Sequence, residues 1–141
     1  MYSNTQLNAI YDRTSGYCHL CHKKLAFKNY AAFGLRGSWE VEHSRARAKG
    51  GSNRLNNLDP ACIFCNRSKG ITSTSHARAK NGKKFAPLSK AKRRQAKLEQ
   101  AFAGSALGAT IGGLLLGPGG AALGCLFGAA KGHQSNPDKL R

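Results

Sequence analysis

Two cysteine pairs of the form Cys-x-x-Cys constrain this chain more than any other feature. Cys18-His-Leu-Cys21 and Cys62-Ile-Phe-Cys65 are separated by 40 residues. Each pair places two thiolates within reach of one tetrahedral metal, and two pairs complete a closed four-cysteine site. The segment they frame, from about Tyr2 to Gly70, is too short to bury a large core. Small domains of this size commonly rely on a metal or on disulfides. Met1 to Ile10 is polar and lacks the apolar run of a cleavable signal peptide. The expectation is therefore a reduced structural Zn²⁺ site at Cys18, Cys21, Cys62 and Cys65 in a protein of the cytoplasm or the cytoplasmic membrane, with disulfides the competing alternative. His19 and His22 adjoin the first pair and are expected at the surface, since four thiolates already close the site.

Charge narrows the partners. The 141 residues carry 23 Lys and Arg against 6 Asp and Glu, a formal net charge of +17. Such an excess favours polyanions, nucleic acid first and an anionic membrane second. Between Arg67 and Lys97 stand 11 basic residues and no acidic one.

Local patterns predict an α+β domain. Leu7, Ile10 and Tyr11 fall on one face of a helix over Asn4 to Thr14, which Ser15-Gly16 ends. Trp39-Glu-Val-Glu-His43 alternates apolar and acidic residues, as a strand with one buried face does. Lys49-Gly50-Gly51-Ser52-Asn53 reads as a turn-rich loop. Leu58-Asp59-Pro60 reads as a second strand. A helix starting near Ala61 would carry Cys62, Cys65, Asn66 and Lys69. The product is a ββα unit laid over a metal knuckle.

With the framed motif in view, Glu42-His43, 13 residues to Asn57 and 8 more to Asn66, the chain resembles the HNH endonuclease family in its four-cysteine zinc-knuckle form. The resemblance spans about Tyr11 to Gly70. It also draws on Gly50-Gly51, Asn57-Leu58 and Cys62-x-x-Cys65-Asn66-x-x-Lys69. It implies a metal-dependent endonuclease hydrolysing phosphodiester bonds in DNA, double-stranded by preference. His43 would be the general base, since an imidazole titrates near neutrality. Glu42 and Asn66 would hold a divalent cation, Mg²⁺ or Mn²⁺, through oxygen. Asn57 would pin the loop that orients His43. Arg45, Arg47 and Lys69 are candidates, from charge and position, to neutralise phosphate. Two departures from the family pattern stand out: Glu42 replaces the usual Asp, and Asn66 replaces His. A zinc-stabilised nucleic-acid-binding module without catalysis is the alternative.

Beyond the framed domain (1–70) the sequence predicts a basic linker and helix (71–99), with Ser89 capping a helix to Ala101. An apolar segment (100–130) and a basic tail (131–141) follow. Thr72 to Lys84 is divided between a partly disordered linker and an ordered segment. The 31 residues from Gln100 to Ala130 carry no charge, and Gly104, Gly108 and Gly112 recur every fourth position. This resembles a glycine zipper and predicts an apolar helical hairpin broken at Gly117-Pro118-Gly119-Gly120. Three fates stand for it: membrane association or insertion, a soluble homo-oligomer, or a flexible tail. Joined to a nuclease, the first suits a toxin or a defence nuclease. A membrane or pore protein active through the tail alone is the remaining alternative.

Overall fold

A computed structural model describes residues 2–103 together with Leu114 and Asp138. The chain divides into two compact units between Lys90 and Ala91. In the first unit, helix α1 spans Asn4–Asp12. Its start is a capping box: Ser3 Oγ accepts from the Gln6 backbone N–H, and Gln6 Oε1 accepts from that of Ser3. Leu7 and Ile10 are buried. Left-handed Ser15 and Gly16, at φ of 55° and 72°, turn the chain away from the helix.

Strands β1 (Trp39–His43) and β2 (Leu58–Cys62) form an antiparallel pair, with Trp39 opposite Cys62 and Glu42 opposite Asp59. Helix α2 covers Ile63–Lys69. The ββα unit is therefore present, and the domain is α+β as expected. The second strand runs two residues further than the sequence indicates. Ala61 and Cys62 still pair with Glu40 and Trp39, so Cys62 precedes α2 instead of lying on it. Trp39 is fully buried at the centre of the core. Tyr11, Tyr30 and Phe27 surround its ring at centroid distances of 5.3, 5.0 and 6.2 Å, and its indole N–H donates to Phe27 O.

The alternation in β1 misses one point. Trp39 faces the core, yet Glu42 is only 2% exposed while Val41 is half-buried. The far face of the strand is not solvent, because α2 lies against it.

The basic stretch after Gly70 is also more ordered than a linker. Helix α3 occupies Thr74–Lys80, capped by Ser73. Ala77 joins the core, and Arg78 reaches back to the first cysteine pair, its Nε donating to His19 O at 2.9 Å. A further helix runs over 90–103 of the described residues. The predicted glycine-rich hairpin and basic tail lie outside the described residues, apart from 100–103, Leu114 and Asp138.

One loop position tolerates no side chain. The β1–β2 connection tightens into a short 3₁₀ turn at Arg47–Lys49, and Gly50 follows at φ of 74°. A Cβ on Gly51 would lie 1.8 Å from Arg45 O, so any larger residue must displace backbone. We expect Gly51→Ala to destabilise the domain by about 1–3 kcal/mol, read as a lower urea midpoint. An unchanged midpoint would show that the loop yields freely.

Candidate nuclease site and metal clamp

The four cysteines come together. Cys18 and Cys21 lie on the knuckle after α1, Cys62 ends β2, and Cys65 sits in the first turn of α2. Their sulfurs all lie within 4.8 Å of one another, and none is in a disulfide. Cys18 and Cys65 are buried. Neighbouring S–H donors push the Cys21 thiol far below its ordinary pKa, while hydrogen bonding to the other three drives Cys18 far above it. Four sulfurs sharing charge in so small a space form a thiolate donor set suited to one tetrahedral cation. The cluster is arranged for a structural metal.

His43 ends β1 and stays half-exposed. Its Nε2 lies 2.8 Å from Asn53 Oδ1. Asn57 spans the loop: its Oδ1 accepts from the Arg45 N–H at 2.7 Å, and its Nδ2 donates to Arg45 O and Ser52 O. The Ser44 N–H donates to Asn57 O. These bonds hold the backbone immediately after His43 against the start of β2.

Glu42 and Asn66, expected to share a cation, are not brought together. Glu42 is buried, with Lys69 Nζ 2.7 Å from Oε1 and His19 Nε2 2.8 Å from Oε2. The His19 approach is close but poorly aligned for a hydrogen bond. Burial alone would raise the Glu42 pKa, but the contacts with His19 and Lys69 outweigh it and hold the carboxyl below its usual value. Asn66 instead donates from Nδ2 to Glu40 Oε2 at 2.8 Å, and Arg67 pairs with the other Glu40 oxygen at 3.2 Å. The cause is alignment. Helix α2 runs along β1 so that Asn66 and Arg67 meet Glu40, and Lys69, about one turn later, meets Glu42.

Lys69, a candidate for the phosphate, is only 3% exposed. It donates to His43 O as well as pairing with Glu42, so it braces the strand from behind and does not meet solvent. Arg45 is exposed but donates from Nε to Lys49 O at 2.7 Å. Arg47 is exposed in the 3₁₀ turn of the same loop.

His19 is the clearest reversal. Far from the surface, it is fully buried. Its backbone N–H donates to Pro60 O, docking the knuckle on β2. Arg78 Nη2 approaches its Nδ1 at 3.1 Å. A guanidinium only donates, so Nδ1 accepts and the ring proton resides on Nε2, facing Glu42. Asp59 is also buried, held by Arg13 at 2.9 Å and by the Ser44 hydroxyl at 2.7 Å. His22, half-exposed, hydrogen-bonds Phe85 O. Asn53, Glu40, Asp59 and Arg78 had no motif to mark them. The one available signal was register: strands pairing His43 with Leu58 set Glu42 directly across from Asp59, and facing carboxylates demand cations.

Among known proteins, the family model for the HNH endonuclease matches residues 18–71. No curated protein sequence and no solved structure matches the chain. The matched stretch begins at Cys18 and contains both cysteine pairs, both strands and all of α2. Residues 18–71 thus match the HNH endonuclease family and fold as a ββα unit around a four-cysteine clamp.

Proposed function

We propose that this chain is an endonuclease that hydrolyses phosphodiester bonds in DNA, with His43 as general base. The observation that carries this is His43 itself: a half-exposed imidazole at a strand end, in a loop clamped by Asn57, on a family-matched frame. With Asn53 accepting from Nε2, the ring presents Nδ1 with its lone pair free to take a proton from an attacking water. The excess of basic residues supplies attraction for the phosphate backbone.

A divalent cation belongs to this proposal as a requirement. As the side chains stand, Glu42 is committed to Lys69 and His19. Glu40 is the carboxylate beside Asn66, and its side chain is 25% exposed. Two carboxylates therefore compete for the role. The apolar stretch adds a second part, which rests on sequence alone: a membrane-active or self-associating segment joined to a nuclease, as in a toxin or defence nuclease at the cytoplasmic membrane. Among the described residues no helix is long and apolar enough to cross a membrane.

Plasmid nicking with Mg²⁺ or Mn²⁺ is the direct test. His43→Ala should lower the rate by about 10²–10⁴-fold. Equal rates would remove His43 from the role of general base, and DNA binding without cleavage in any metal would leave a non-catalytic binding module. Comparing Glu42→Gln with Glu40→Gln separates the two carboxylates: the variant whose loss is partly recovered by raising Mn²⁺ identifies the ligand, and a variant that melts early without changing metal dependence identifies a structural role. Zn²⁺ should co-purify with the chain, held by Cys18, Cys21, Cys62 and Cys65. Its removal by a chelator should abolish helical circular dichroism in the domain, because binding and folding free energy are one quantity in such sites. Retention of the full signal without metal would show that the core suffices.

A further inference from the structure

We propose that Phe64 and Phe33 form a stacking platform for unpaired bases, so that the domain engages a single-stranded stretch of its nucleic acid. This rests on the nucleic-acid reading above and adds the form of strand it holds. Phe64 is the second residue of α2, between buried Ile63 and Cys65, and its own ring is 81% exposed. Phe33, in the loop before β1, is 74% exposed. An isolated exposed phenylalanine is ordinary. These two are not isolated from each other's surroundings. Arg67, three residues along α2 from Phe64 and so on a neighbouring position of the same face, places its guanidinium 4.9 Å from the Phe33 ring centroid. Its Nη2 is tethered by Glu40, which fixes the cation over the ring.

The ground on either side of Phe64 carries cations and no carboxylate, beside Cys62 and Cys65 of the metal clamp. The ring borders a groove of about 450 Å³ lined also by Lys23, Lys24 and Arg36. It borders a second, of about 210 Å³, with Lys80 and Asn81 on its walls. No Asp or Glu lines either groove. Phe64 is thus a ridge between two basic troughs. An aromatic face flanked by cations on both sides fits a strand whose base stacks on the ring while the phosphates before and after it lie in the troughs. Bases inside a duplex already cover one another's faces, so the rings gain contact only with a base that is unpaired or turned out of the helix. Lysines and arginines, by contrast, attract duplex and single strand alike.

This difference supplies the test. Binding of the full chain to a fluorescein-labelled oligothymidine and to a blunt duplex of equal length is followed by anisotropy, with no added Mg²⁺ or Mn²⁺. Phe64→Ala and Phe33→Ala alter exposed rings and should leave the melting temperature in place. Each should weaken oligothymidine binding by about fivefold or more, the loss of one stacked base, and change duplex binding by less than about twofold. Equal losses on both ligands, or none on either, overturn the platform while leaving the nuclease proposal intact. A native chain that binds neither ligand overturns both. A native oligomer that Phe64→Ala converts to monomer in size-exclusion chromatography, with oligothymidine affinity unchanged, assigns the ring to self-association and also overturns the proposal.

Discussion

Two carboxylates facing each other across the strand pair organise the first unit. Glu42 and Asp59 are register partners, and both are buried. Like charges in that position repel, and unpaired burial of either would cost several kcal/mol. The surrounding elements answer with cations and donors, each from a different part of the chain. The segment after α1 sends Arg13 to Asp59, α2 sends Lys69 to Glu42, and the knuckle turns the His19 Nε2 side toward Glu42. Helix α3 sends Arg78 to His19. A domain with few large apolar residues in its core is thereby tied together by directed polar contacts as well as by burial. Such contacts also fix orientation in a way that burial, which is non-directional, does not.

The cysteine clamp and the carboxylate pair are neighbours in this scheme. His19 follows Cys18 directly, so whatever fixes the knuckle also fixes the imidazole against Glu42. Cys65 and Lys69 occupy successive turns of α2. A metal closing the four sulfurs would set the position of the knuckle and of that helix together, and with them the two groups that face the Glu42 carboxylate, His19 and Lys69. The clamp thus acts on the strand that bears His43 through these groups and through Cys62, which pairs with Trp39 at the start of that strand.

Much of this was legible in the sequence because it depends on local pattern. The cysteine spacing, the β1 boundaries at Trp39 and His43, and the apolar face of α1 all follow from residues close together in the chain. The contacts that were missed depend on register and on how α2 lies along β1. His19 looked like a surface residue because four thiolates need no fifth ligand, and nothing within a few positions of it signals two carboxylates 23 and 40 residues away. Thr74–Lys80 looked like a candidate linker because it is basic, whereas its burial rests on the single small residue Ala77 and on Arg78 reaching a backbone carbonyl. Charge composition does not distinguish a solvated arginine from one that closes a network.

The position of His43 follows from the same register. Successive residues of a strand point to opposite faces, so fixing Glu42 inward beside α2 turns its neighbour the other way. A shift by one residue would exchange them, burying the imidazole against Lys69 and exposing the carboxylate. The ion pair at Glu42 therefore does more than stabilise the strand. It selects which of the two adjacent polar side chains reaches solvent, and Lys69 enforces the choice twice, through the Glu42 carboxylate and through the carbonyl of His43. With the following backbone held by Asn57 and the ring by Asn53, the imidazole is presented outward by contacts made almost entirely on its concealed side and in its own loop.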